Sequence, residues 1–308
     1  MTEAPSETYE SLRPLLFSIA YRMLGSVAEA EDLVQESFLR HHRAVSEGAE
    51  IESPKAYLSA VVTRLAVDQL RSARARRESY VGEWLPEPLV TDPGDDPAAH
   101  AEEADTLSMA FLLVLERLSP VERAVFLLHD VFGYGYDEVA AIVGKSKANC
   151  RQLALRARRH VEAEKPRFEA SRRERDELAA RFFAAVLDGD VDGLVATLAA
   201  DVVVYGDGGG KAPQWAAPIV GVARVALLFA GLGRQIGELG IDLQPCEING
   251  QPGAVLRDPE QRVTNVFVLD IAGGAVQAVR SVINPDKLRH LGPVADVHAL
   301  IRGRSDRR

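Results

Sequence analysis

The stretch GYGYDEVAAIVGKSKANCRQLALRARRHVEA spans residues 133–163. It predicts a short helix at 136–143, a turn at Gly144-Lys145-Ser146, and a second helix that Ser146 caps and that runs to about residue 163. Cys150, Leu153, Ala154, Ala157 and Val161 recur at helical spacing and are expected to face inward. That leaves Lys147, Asn149, Arg151, Gln152 and Arg158 outward, with Lys145 in the turn before them. Two short helices joined by a tight glycine turn, the second one basic, form a helix-turn-helix. Its second helix offers amide side chains for adenine edges and a guanidinium for guanine or phosphate.

Upstream, Ser119-Pro120-Val121-Glu122 reads as a capping box with proline at the first helical position, and 105–118 reads as a further helix. Residues 105–166 therefore make one helical module. A second all-α module is expected over 1–78. Leu12, Leu15, Leu16, Ile19, Met23 and Leu24 form a helical stripe, and Pro14 suggests that this helix starts nearby. Ser26 opens a second helix and Ser53-Pro54 a third. The far end of the third is rich in arginine: Arg64, Arg71, Arg74, Arg76 and Arg77 face one acid, Asp68. Between the modules, 79–104 holds four prolines, and 81–105 holds eight acids and no lysine or arginine, a composition suited to an extended linker. Trp84 is the exception, since a tryptophan in a linker usually finds a docking site.

The net charge of −9 does not exclude nucleic acid, because two locally basic helices flank the acidic tether. Two distant cysteines, Cys150 and Cys246, make a disulfide framework or zinc site improbable and fit a reducing cytoplasm. No run approaches the ~20 apolar residues of a membrane span, and the N-terminus lacks a signal-peptide layout.

After residue 166 the pattern changes. Over 172–308, helices at 172–187 and 191–198 precede strand-like runs at 202–205, 241–248, 253–257, 263–271 and 275–283, with a helix at 221–232 between them. Asn249-Gly250 and Gly273-Gly274 are hairpin turns by type. Helices followed by mostly antiparallel strands indicate an α+β domain. Within it, Gly206-Asp207-Gly208-Gly209-Gly210-Lys211-Ala212 fails as a phosphate loop: the glycines are too close and Ala212 stands where Ser or Thr is needed. It reads instead as a turn that admits another segment closely.

EDLVQESFLR (31–40), PKAYL (54–58), DQLR (68–71), LERLSPVER (115–123) and GYGYDEVA (133–140) together resemble regions 2 and 4 of extracytoplasmic-function sigma factors of bacterial RNA polymerase. WLPEP (84–88), DGGGK (207–211) and NPDKL (284–288) are similar to motifs of the SigJ-like subgroup, whose C-terminal extension is a SnoaL-like cone. The resemblance implies that Asp32, Gln35, Glu36, Leu39 and Arg40 dock on the β′ clamp helices and that region 4 meets the β flap. It implies that the 55–77 helix opens the −10 element and that the 147–159 helix reads the −35 element of promoter DNA. Asn149-Cys150 departs from the Thr-Val common there, so no promoter sequence carries over. It further implies an interdomain, regulatory surface at Trp84, Pro86, Asp207, Lys211, Asn284 and Asp286, with Trp84 anchoring the tether.

The expected protein is thus a promoter-specificity subunit without enzymatic activity, cofactor or metal, whose C-terminal pocket could take a small ligand. Two other classes compete: a ligand-sensing helix-turn-helix regulator that binds DNA without polymerase, and a SnoaL-like enzyme using Asp201, Asp207, Trp215 or His290.

Overall fold

The computed structural model describes residues 5–78, 80–91, 105–164, 171–215 and 217–305. The chain divides into two compact units. One comprises residues 1–79 with 112–165, the other 80–111 with 166–308.

The first unit is all helical. It contains α1 (Pro5–Leu24), α2 (Val27–Ser46), α3 (Pro54–Glu78), α4 (Met109–Leu115, from its residue 112), α5 (Pro120–Phe126), α6 (Tyr136–Val143) and α7 (Lys147–Glu164). A π turn, Leu127–Val131, continues α5. Ser26 and Ser53 accept the Glu29 and Ala56 amides at 3.2 Å, as N-caps do. Ser119 and Glu122 close a reciprocal capping box ahead of α5. Pro14 does not mark a helix start: α1 extends nine residues before it. Pro14 is solvent-exposed, so water can satisfy the carbonyl it leaves unpaired, while Leu16, Ile19, Ala20 and Met23 fix the helix by burial.

The two helical modules read from the sequence pack as one body here. Arg123 of α5 is buried and donates to the Met23 carbonyl at 2.6 Å and to Glu116 at 2.8 Å. Burial pushes its guanidinium pKa down to about 9, and the carbonyl and carboxylate are what hold its charge inside. Ser59 of α3 and Tyr134 share a buried hydrogen bond of 2.7 Å. Tyr134→Phe would leave the Ser59 hydroxyl without that partner. It is expected to lower the stability of this unit by about 1–2 kcal/mol in denaturant titration.

The second unit carries α8 (Arg172–Asp188), α9 (Val191–Thr197), α10 (Val222–Leu239), α11 (Val297–Ser305) and six strands. The strands are β1 (Leu198–Asp207), β2 (Ile219–Val220), β3 (Asp242–Ile248), β4 (Gln251–Arg257), β5 (Val263–Ala272) and β6 (Ala275–Val282). Their order is β2-β1-β6-β5-β4-β3, antiparallel except for the β1–β6 pair. Asn249 and Gly250 both take positive φ (53° and 67°), as do Gly273 and Gly274 (56° and 72°), which suits the two tight hairpins. Phe182, Phe229 and Phe267 stack edge to face at 5.2 and 5.6 Å and join α8, α10 and β5 into one core.

The sequence pattern placed the end of α10 at 232, but the helix continues to Leu239. Gly233, just past that limit, is a packing position. A Cβ there would sit 1.7 Å from the Val186 carbonyl oxygen, so only glycine lets α10 approach the α8 backbone this closely.

Candidate functional site

The helix-turn-helix forms as its residues suggest. Gly144 closes α6 in the left-handed conformation (φ 67°). Ser146 accepts the Asn149 amide at 3.2 Å and starts α7. Cys150, Ala154, Ala157 and Val161 are buried, and Leu153 is half-buried. Lys145, Lys147, Asn149, Arg151 and Gln152 are exposed together on the opposite side. Arg151 lies over the Tyr136 ring at 5.7 Å, a position that aims the guanidinium without consuming it.

Two of the expected DNA contacts are held by the protein itself. Arg158 donates to Asp130 at 2.5 Å and to the Tyr136 hydroxyl at 3.4 Å. The bond to Asp130 raises its pKa, so this side chain is a strut between α7 and the turn before α6. Arg64 donates to the Ile142 and Ala141 carbonyls, both at 2.8 Å, and so caps the C-terminal end of α6. A basic helix end looks the same in sequence whether its partner is a phosphate or a carbonyl. Lys147 pairs with Asp137 at 2.6 Å, but both groups are largely exposed, and such a pair is exchanged for phosphate at little cost. Arg71 is exposed beside Asp68. The side chains of Arg74, Arg76 and Arg77 lie outside the described residues.

On α2, Asp32, Gln35, Leu39 and Arg40 are exposed and Glu36 is half-buried. Their spacing places them on one helical face. Arg40 pairs with Glu36 at 2.7 Å, and Leu39 is 51% exposed in the middle of the charged residues. An apolar side chain flanked by charge on a free helix face suits a protein partner.

The second unit holds a buried polar cluster built around the tether. Asp207, at the end of β1, is 0% exposed. One carboxylate oxygen accepts the Tyr80 hydroxyl at 2.5 Å. The other accepts the Leu85 amide at 2.8 Å and pairs with Lys287 Nζ at 2.6 Å. Lys287 also donates to the Leu85 carbonyl and lies 4.4 Å from the Trp84 ring centre and 5.0 Å from that of Tyr80. Asn284 donates to the Tyr80 hydroxyl at 2.8 Å. Pro86 is buried. Lys211 and Asp286 pair with each other at the surface, next to this cluster.

Further along, the His290 ring donates to the Pro88 carbonyl at 2.7 Å. The Asn249 backbone amide donates to the Leu89 carbonyl at 2.7 Å, its side-chain oxygen accepts the Leu89 amide at 3.0 Å, and Val90 bridges Ile248. The tether thereby lengthens the sheet at its β3 edge and covers edge groups that would otherwise be unpaired. Over 80–91 the segment is therefore not the free linker its prolines and acids suggested; 79 and 92–104 lie outside the described residues.

Tyr80, Lys287 and the tether contact of the hairpin residue Asn249 escaped the sequence reading. Lys287 sits inside the quoted NPDKL motif, and its signal was a lone lysine against Leu288 and a helix cap. Burial, then the bond to Asp207 and its charge, raises the Tyr80 pKa above the ordinary value of about 10. An acid held neutral in the fold stabilises it fully below its unfolded pKa, and that contribution is lost as pH rises from there through the folded value. Tyrosinate absorbance of the wild type and of Tyr80→Phe should thus coincide until the tether releases in alkali. A wild-type excess of one tyrosinate near pH ~10.5 would contradict the burial.

Of the residues considered for catalysis, Asp201 is exposed, Asp207 and His290 hold the tether, and only Trp215 lines the cavity between α10 and the sheet. Among the described residues, no group of three His, Cys, Asp or Glu side chains is placed to hold a metal. No described helix is long and apolar enough to cross a membrane.

Residues 8–76 match the Sigma-70 region 2 family, and residues 108–161 match the Sigma-70, region 4 family. The chain is 40% identical over 292 residues to the ECF RNA polymerase sigma factor SigJ of Mycobacterium tuberculosis, covering 91% of each chain. The chain belongs to the ECF RNA polymerase sigma factors. This sigma factor is also 31% identical over 285 residues to the probable ECF RNA polymerase sigma factor SigI of M. tuberculosis, covering 92% of itself and 94% of that protein. The crystal structure of M. tuberculosis SigJ superposes on it with a TM-score of 0.72 at 36% identity, over 92% of this sigma factor and 98% of that chain. The fold class read from the sequence holds for the sigma factor: all-α sigma regions and an α+β C-terminal domain whose helices close a cavity over one sheet face.

Proposed function

We propose that this sigma factor, acting in the cytoplasm, docks α2 on the β′ clamp helices through Asp32, Gln35, Glu36, Leu39 and Arg40, and region 4 on the β flap. Asn149, Arg151 and Gln152 then read the −35 element, Lys145 and Lys147 meet phosphate, and α3 with Arg71, Arg74, Arg76 and Arg77 opens the −10 element. The chain contributes no chemistry of its own. The observation that carries the reading is the division of α7 into a buried apolar face and an exposed Lys/Asn/Arg/Gln face at its capped N-terminal turns. A gel shift with promoter DNA, with and without core polymerase, tests it. Strong, strand-opening binding is expected only with core. Equally tight binding of duplex DNA by the chain alone favours a polymerase-independent, ligand-sensing regulator instead.

The C-terminal domain is the fused regulator, and the Asp207–Lys287 cluster is its grip on the tether at Trp84 and Pro86. Lys211, Asn284 and Asp286 support that cluster. Tethering keeps the parts near millimolar effective concentration, so modest contacts suffice for control.

A second observation bears on α3. Arg64 and Ser59 are engaged by the α6 end and Tyr134, so α3 presents Arg64 to DNA only after it leaves α6. Tyr134→Phe, which loosens that contact, is then expected to raise promoter-directed transcription at limiting sigma factor, and a fall would count against such opening.

A further inference from the structure

The second unit has a half-open cavity of about 370 Å³, in the range of small-molecule sites. Leu232, Ile236 and Leu239 of α10, Phe267 of the sheet, and Val297 and Ile301 of α11 make its apolar walls. Its polar groups are Gln214, Asn265 and Ser281, with the amide of Gln235 and the hydroxyl of Thr264, and among the described residues no Asp, Glu, His, Lys or Arg lines it. A charged ligand would lie there without a counter-charge, at a cost of several kcal/mol.

Ser281 Oγ receives one N–H from Gln214 Nε2 (3.2 Å) and one from Asn265 Nδ2 (3.1 Å). The Gln214 and Asn265 amide oxygens accept the Trp215 and Val266 backbone amides. A primary amide has two N–H groups, so each retains one beyond its bond to Ser281. Two amide donors that meet at the same Ser281 Oγ lie side by side in a mainly apolar cavity, and such a pair suits one ligand oxygen.

The same residues touch the tether cluster. Gln214 packs on Gly206 so closely that a Cβ there would lie 2.3 Å from Gln214 Cδ, and Gly206 precedes Asp207. Ile283 lines the cavity, follows β6 and precedes Asn284, which holds Tyr80. Ile283 and Asn284 both donate backbone N–H groups to the Asp207 carbonyl, at 2.9 and 3.0 Å. Ligand bonding to Gln214 and Asn265, which share Ser281 of β6, therefore bears on both strand ends that grip the tether.

We propose that this cavity binds a small, neutral, mainly apolar molecule bearing one hydrogen-bond-accepting oxygen, and that its occupancy is transmitted to the Asp207–Lys287 grip on the tether. The transmission rests on the regulatory reading above; the binding does not. The probe is Prodan, a neutral naphthalene ketone, titrated into the full chain. Saturable, blue-shifted emission is expected, with anilinonaphthalene sulfonate, an anion of similar shape, bound at least about tenfold more weakly. Leu232→Trp, which fills the cavity, should abolish Prodan binding.

Should Leu232→Trp fail to fold, Asn265→Leu serves. It should weaken Prodan about tenfold and leave the parent dimethylaminonaphthalene, which lacks the ketone, unchanged. Bound Prodan should also change hydrogen exchange at the Leu85 amide. No saturable binding, or binding that both variants leave intact, overturns the site; binding without a change at Leu85 overturns the transmission. If Asp207→Asn keeps Prodan binding and transcribes like the wild type, the regulatory reading falls while the site stands.

Discussion

Asp207→Asn is expected to lower the stability of the C-terminal unit by about 3–5 kcal/mol, because it leaves the Lys287 ammonium buried without its counter-charge. Three bonds weaken at once. The Tyr80 hydroxyl, the Leu85 amide and Lys287 Nζ all end on this one carboxylate, which is 0% exposed. An asparagine keeps the shape but has one acceptor oxygen and no charge. For a unit of this size the loss corresponds to a drop of about 10 °C in its melting midpoint. The tether should be released as well, visible as fast amide exchange at Leu85 and protease cleavage near 80–91. Lys287→Met should also destabilise the unit, and the double variant should lose less than the two single losses added, because each single change strands the other partner. A wild-type melting curve for Asp207→Asn would show that the cluster does not hold the tether.

Replacing Arg151 and Gln152 by alanine is expected to have the largest effect on promoter recognition. Both are exposed on the second turn of α7, so the fold should be untouched. A good side-chain contact to a base edge discriminates by about 1–3 kcal/mol, so two lost contacts lower binding of the −35 element by roughly 100-fold or more. The loss should depend on sequence and relax preference at particular base pairs. Lys147→Ala should instead weaken all sequences alike and reduce the salt slope by about one. Binding measured against a panel of −35 variants distinguishes the two behaviours, and uniform loss for Arg151→Ala would assign that side chain to phosphate.

The helix-turn-helix was legible because its signals are local. A glycine turn, a serine cap and a 3.6-residue apolar repeat specify α6, α7 and the side that faces out, and they all lie within 31 residues. The hairpins at Asn249-Gly250 and Gly273-Gly274 were legible for the same reason. The tether was not. Its prolines and acids describe an extended chain correctly, but the partners that bury it are remote: Lys287 from Leu85, Asn284 from Tyr80, Asn249 from Leu89. One strand of sequence carries no sign of an edge elsewhere that it will extend. Arg64 and Arg158 show the matching limit for charge. Both belong to basic helices, and both are engaged by groups of the protein, the carbonyls ending α6 and the Asp130 carboxylate. Gly233 shows it for packing, because a residue that weakens a lone helix is what allows α10 to reach α8.

Reconstituted transcription with purified bacterial core polymerase tests the assignment most directly. Adding the full chain to core should produce transcripts that start at defined promoters, and the chain should co-elute with core. Asp32→Arg together with Leu39→Glu on α2 should abolish both. Core that neither retains the chain nor changes its start sites in its presence would contradict the account.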